Sequence, residues 1–165
     1  MAQVASESAK RLAELLSGGA GLASSVALIA EREGVWLAEV GPERVVREQV
    51  SPELAEKTAG VQYPVFYVYC EKISNQLREK FRTFSGRARM AVEVRVSQEG
   101  LEELGRKTEL YAEAVTDVLD RNRGDWGGGL FYGGGYEVAF GAVKRGGKGF
   151  VQTAKIGFDV EVSLG

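Results

Sequence analysis

Phe150-Val151-Gln152-Thr153-Ala154-Lys155-Ile156-Gly157-Phe158-Asp159-Val160-Glu161-Val162-Ser163-Leu164 brings the chain almost to its end. Every second residue is apolar, from Phe150 through Ala154, Ile156, Phe158, Val160 and Val162 to Leu164, and only Gln152 breaks the row. The positions between are mostly polar or small. A period of two is that of a strand with one face on a core and the other on water or a partner. At roughly 3.3 Å per residue such a strand reaches on the order of 50 Å, long beside the usual length of about five or six residues. Upstream, Tyr136, Val138, Phe140 and Ala142 alternate in the same way, and Arg145-Gly146-Gly147-Lys148-Gly149 supplies a turn. The last forty residues therefore predict one long hairpin lining a protein surface.

Two further strands stand before it. Tyr63-Pro64-Val65-Phe66-Tyr67-Val68-Tyr69-Cys70 is apolar on both faces and reads as a central strand, with Pro64 tolerated at its start. In the next, Met90, Val92, Val94 and Val96 point one way and Arg89, Glu93, Arg95 and Ser97 the other. Between them, Ser74 to Gly86 is polar and basic, a short helix or an extended loop. The best helix follows Gly100, with Leu101, Leu104, Tyr111, Val115, Val118 and Leu119 at helical spacing, a Glu103–Lys107 pair at i,i+4, and an end near Asn122. At the other terminus, Ser6 or Ser8 caps a helix through about Leu16, and a second helix runs Leu22 to Glu33 and stops at Gly34. Val35 to Val50 is ambiguous, with short strands around Trp36, Val40, Val45 and Val46. Ser51-Pro52-Glu53 starts a short helix to about Thr58. The order predicts one α+β domain over 1–165: an antiparallel β-sheet of about four main strands, a long helix packed on one face, and a helical extension over 1–60 ahead of the 61–165 sheet-plus-helix core.

Composition narrows the function. The chain has 165 residues and a net charge of −2, so nothing global favours nucleic acid. The charge is segregated, however. Residues 1–60 carry six basic and nine acidic groups, 71–95 seven and three, and 96–125 four and eight. Such segregation suits head-to-tail contact between copies, a basic edge meeting an acidic one. One cysteine, Cys70, excludes an intrachain disulfide and points to a reducing compartment, as a buried structural thiol. The opening Met-Ala-Gln-Val-Ala-Ser lacks a basic region followed by an apolar core, and Leu22 to Ala30 is too short to span a bilayer, so synthesis in the cytoplasm and no membrane partner are expected.

No histidine occurs. That removes Ser-His-Asp and Cys-His catalysis together with histidine metal ligation, and no Asp-rich calcium loop is present. Asp117 with Asp120, and Glu109 with Glu113, read as solvated helix charges. The glycine-rich run Gly141 to Gly149 lacks the Gly-Lys-Ser/Thr ending of a phosphate loop and leads into a strand, so a hairpin turn fits it better. Neither enzyme activity nor a cofactor is expected. What remains are contact residues. Arg78, Lys80, Arg82, Arg87 and Arg89 form a basic run with Phe81 and Phe84 interleaved, a stacking-plus-charge pattern that also suits a solvated loop or protein contact. Asp125 to Gly135 reads as a flexible glycine-rich loop carrying Trp126, Phe131 and Tyr132, either as interface anchors or as a flap folded back on the core. As anchors, Trp126 and Phe131 are replaceable by alanine with loss of assembly and no loss of the monomer fold.

The arrangement over roughly Ser51 to Gly165 resembles that of tailed-bacteriophage tail-terminator (tail-completion, minor tail) proteins. The likeness rests on the 63–69 strand after N-terminal helices, the arginine-bearing loop, Arg-Met-Ala-Val-Glu-Val-Arg-Val at 89–96, the helix Leu101 to Asn122 and the closing hairpin Tyr136 to Leu164. It implies a subunit of a hexameric ring that caps the tail tube, joins tail to head, and lets genomic DNA pass through its channel. Copies of itself, the tail tube protein and a head-completion or neck protein are the implied partners, the virion tail or neck the implied location, and no catalysis or cofactor is implied. Head–tail connector and head-closure subunits, in rings of twelve or six, share much of the pattern. The N-terminal helices and 35–50 make this chain longer than a minimal member.

Overall fold

A computed structural model describes residues 3–57, 60–147 and 149–165. Thr58 and Lys148, expected at a helix end and in a turn, lie outside the described residues. Two helices open the fold, α1 (Val4–Ser17) and α2 (Leu22–Glu33), followed by the two-residue strand β1 (Val45–Val46) and the short helix α3 (Pro52–Lys57). Strands β2 (Val65–Asn75) and β3 (Phe84–Gln98) come next, then the long helix α4 (Leu104–Arg121). The remainder is strand: β4 (Gly124–Gly127), β5 (Leu130–Tyr132), β6 (Glu137–Phe140), β7 (Lys144–Gly146) and β8 (Gly149–Leu164).

The α+β class holds, but the sheet is larger than four strands and is mixed. Eight strands hydrogen-bond in one sheet, ordered β1-β2-β3-β8-β5-β4, with β6 and β7 also paired to β8. β1 lies parallel to β2 through Val45↔Phe66, and the other pairings are antiparallel. The backbone of the sheet is β3 against β8, in register from Phe84↔Leu164 to Gln98↔Phe150 without a break. Along the other side of β8 lie β5, β6 and β7 in turn. They amount to one long strand interrupted at 133–136 and 141–143, so the closing hairpin begins at Leu130 and not at Tyr136.

Alternation sorts the side chains as expected. Ala88, Met90, Val92 and Val94 of β3 and Ala154, Ile156, Phe158 and Val160 of β8 are buried on one face. The core they enter is shared with α1 (Leu12, Leu16), α2 (Leu22, Val26, Ile29) and α4 (Leu104, Val115, Val118, Leu119). α4 lies on β3 and β8, α2 lies on α4, and α1 lies on β2 and β3. Sandwiched between sheet and α2, α4 buries Leu110 and Ala112 as well as its predicted stripe. Leu101 lies ahead of the helix and is exposed. Lys107 leaves Glu103 and reaches Gln98 Oε1 at 3.4 Å and the ring of Trp36 at 5.9 Å, while Glu103 meets Arg106 at 3.9 Å.

Helix ends follow local chemistry. Gly34 takes φ 63°, the left-handed conformation that closes α2. Ser51 Oγ accepts a hydrogen bond from the Leu54 amide at 3.3 Å, as a cap should. Neither Ser6 nor Ser8 caps α1, which starts at Val4. Ser8 falls one turn in, on the buried side with Val4, Leu12 and Leu16, and its hydroxyl has no hydrogen-bond partner.

Candidate functional site

The basic run splits into two places. β2 is longer than its apolar stretch: a bulge at Glu71 lets the strand continue through Ile73 and Asn75, and it returns as β3 from Phe84. Arg78, Lys80 and Arg82 therefore sit at the tip of a β-hairpin, residues 76–83, all exposed. Arg87 and Arg89 are on the strand itself. Their side chains lie on the sheet face opposite the helices, where Asp159 approaches Arg87 at 3.9 Å and Arg89 at 3.5 Å, and Glu137 hydrogen-bonds Arg89. These two arginines are neutralised within the subunit. Among the described residues, Arg78 and Lys80 have no ion-pair partner, and Arg82 meets Glu79 at 3.4 Å.

The aromatics of this run also divide. Phe84 is buried and belongs to the core, so no stacking pair forms with Phe81. Phe81 is 100% exposed, and Leu77 on the same tip is 66% exposed. Both adopt positive φ, 65° and 48°, which is uncommon for residues with bulky side chains. The tip is nevertheless tied down. Asn75 Oδ1 accepts from the amides of Leu77 (3.3 Å) and Ser85 (3.1 Å), Asn75 Nδ2 donates to Thr83 O at 3.1 Å, and the Glu79 amide donates to Ser85 Oγ at 2.9 Å. From β8, Ser163 Oγ donates to Glu79 Oε2 at 3.0 Å. Gly86 permits the tight approach at the hairpin's base, since a Cβ there would stand 1.9 Å from Ser74 O.

The glycine-rich segment is not a flexible loop. Asp125 to Gly135 contains β4 and β5, joined by Gly128-Gly129 at φ 61° and 83°, positions for which glycine is suited. Trp126 is 5% and Tyr132 0% exposed, so neither is a surface contact. Their rings close on Phe158, with Trp126–Phe158 centroids 6.2 Å apart. Trp126 Nε1 donates to Asn122 O at 2.6 Å and Tyr132 Oη to Gly135 O at 3.2 Å. Burial, with Asp120 nearby, pushes the Tyr132 phenol up to about 12. Of the three aromatics only Phe131 remains at the surface, 47% exposed. Alanine at Trp126 would accordingly disturb the monomer fold.

The polar face of the sheet is partly roofed. The chain between β1 and β2 crosses it, Val50 O accepting a hydrogen bond from Arg95. Arg95 is 2% exposed, stacks 4.5 Å over the Tyr67 ring and reaches Glu93 at 2.8 Å, with its Nε and Nη1 unpartnered. Glu93 in turn accepts from Tyr69 Oη at 2.9 Å, and burial followed by this carboxylate raises the Tyr69 phenol above its ordinary value. Cys70 is half-buried, its thiol shifted upward by burial. The hollows of this face are open and mixed in charge; one of about 620 Å³ lies over Lys72, Arg87, Arg89, Glu137 and Asp159. Among the described residues no three acidic or cysteine side chains converge as metal ligands would. No single helix there is long and apolar enough to cross a membrane; α1 and α2, which together reach the length, meet at a 44° bend.

Sequence reasoning passed over Leu77, Tyr136 and Phe140. Tyr136 is 40% and Phe140 50% exposed; Phe140 stands on the core side of the sheet, on a strand whose outer edge pairs with none of the described residues. Their alternation was visible, but not that β6 would be the strand lying beyond the helix layer. No protein-family model matches the chain, and no curated protein matches it.

Proposed function

We propose that this chain is a structural subunit of a tailed-phage virion, a ring-forming tail terminator that caps the tail tube and joins it to the head, with DNA passing through the ring. The observation that carries the proposal is the 76–83 hairpin tip. It holds Phe81 and Leu77 in solvent in uncommon backbone conformations, fixed by a set of hydrogen bonds, which is costly unless something covers them. The surrounding architecture suits the same job: a broad sheet with paired charges on one face, exposed apolar residues along a strand edge, and shallow open hollows. A ring needs two different surfaces of one subunit to meet on neighbouring copies, and segregated charge favours such an encounter.

Electron microscopy and mass measurement of the purified protein, alone and with tail tubes, test the proposal. Rings near six times the 17.8 kDa chain are expected; a mass near twelve times would move the subunit to the neck. A chain that stays single at all concentrations and ignores tubes would overturn it.

A further inference from the structure

We infer that the Phe81 tip of one copy plugs into an acidic-rimmed apolar hollow at the far end of β2 on the next copy. The inference rests on the ring reading above and names the contact that would build the ring. β2 runs from Val65 to Asn75, so its two ends stand roughly 30 Å apart at the rise of an extended strand. At the end beyond Asn75 the hairpin projects Phe81 between Lys80 and Arg82. At the other end lies an open hollow of about 360 Å³ lined by Val46, Val61, Val65 and Tyr67 together with Glu43 and Glu48.

Charge and shape complement each other. The tip, residues 76–83, has three basic groups and one acidic, whereas 38–57 has five acidic and three basic. Arg44 also borders the hollow: its Nη1 donates to Pro64 O at 3.2 Å, while its buried Nε, without a hydrogen-bond partner, lies 3.8 Å from Glu43. An exposed aromatic held ready and flanked by cations is the form of an interface anchor, burying its ring while the charges at the rim pair with their opposites. A subunit cannot fill its own hollow across the length of the strand. The two surfaces are different and lie at opposite ends, so each contact leaves a free tip and a free hollow for the next copy.

The test uses the full chain. Sedimentation should show the wild-type oligomer weakened at least tenfold in apparent association by F81A, and likewise by K80E/R82E, with unchanged circular dichroism because these side chains lie in solvent. F81W should retain assembly. Combining K80E/R82E with E43K/E48K should restore most of what either pair loses. Rings that persist unchanged in F81A would overturn the contact and leave the ring reading standing. A wild-type dimer that F81A dissolves would keep the contact and remove the ring. Loss of salt-dependent DNA binding in K80E/R82E, with assembly intact, would reassign the tip to nucleic acid and overturn the inference. A wild-type monomer at high concentration would overturn both.

Discussion

Tyr132 meets Phe158 edge-on, ring centroids 5.2 Å apart and planes at 62°. Through this pair the last strand grips the short β5, and Trp126 completes the cluster at 5.5 Å from Tyr132. Cutting either large ring to alanine leaves a cavity that the neighbouring sheet and α4 cannot collapse into. Tyr132→Ala or Trp126→Ala is expected to lower unfolding free energy by about 3–5 kcal/mol, measured by urea denaturation. Phe131→Ala, on the exposed face of the same short strand, should stay within about 0.5 kcal/mol.

Ser8 offers the opposite sign. Its hydroxyl is buried in α1 without a hydrogen-bond partner, and alanine is the better helix former. Ser8→Ala should stabilise the chain by about 1 kcal/mol, the order of the penalty for an unsatisfied buried hydroxyl. A raised melting temperature checks it.

The 76–83 hairpin depends on its glycine. Gly86→Ala forces a methyl against the Ser74 carbonyl and should cost about 1–3 kcal/mol or more. Gly133→Ala, where an added Cβ meets nothing within 4 Å, should be nearly silent. Thermal melts of the two variants give the comparison.

Asp117 predicts a pH dependence. Burial first, and Glu113 second, raise its carboxyl above the ordinary value. The folded chain therefore holds this proton more tightly than the unfolded one. Its contribution is favourable at acid pH and is lost as pH rises from the unfolded to the raised folded value. Asp117→Asn should match wild type near pH 3 and become the more stable of the two by pH 7. Equal stability at both ends of a urea series across that range would refute the assignment.

Arg95 ties the segment around Val50 to the sheet. Arg95→Ala leaves Glu93 without its cation and the Val50 carbonyl without its donor, at a cost on the order of 3 kcal/mol. Arg95→Met, keeping a stem over Tyr67, should cost less. Hydrogen exchange should quicken over 47–57 in both variants, and more in the alanine one.

Much of the fold was legible. Strict alternation fixed β3 and β8 because both have one face on the helices. α2 was readable to the residue, since Gly21 and Gly34 bracket an uninterrupted apolar stripe. β4 and β5 were not, because glycines at 127–129 and 133–135 leave too few side chains to display a period. The extension of β2 past Cys70 hid behind Glu71 and Lys72, outward charges of which Glu71 pairs with Lys155 across the sheet. The parallel β1 is only two residues long. At the surface, Arg78, Lys80 and Arg82 lie at the exposed tip of a hairpin, where the sequence allows a short helix or an extended loop, whereas Trp126 and Tyr132 were hidden by a packing partner, Phe158, distant in sequence.

The far side of the closing hairpin is broken into pieces of three, four and three residues. β4 covers the first piece; continued without a break from Tyr132 to Gly146, the strand would have extended past it as a rail of free amides and carbonyls on which other chains could stack as in amyloid. Kinks at 133–136 and 141–143 spoil that template. Crowded copies are thus steered away from fibrous aggregation, and side-chain fit is left to govern how they meet.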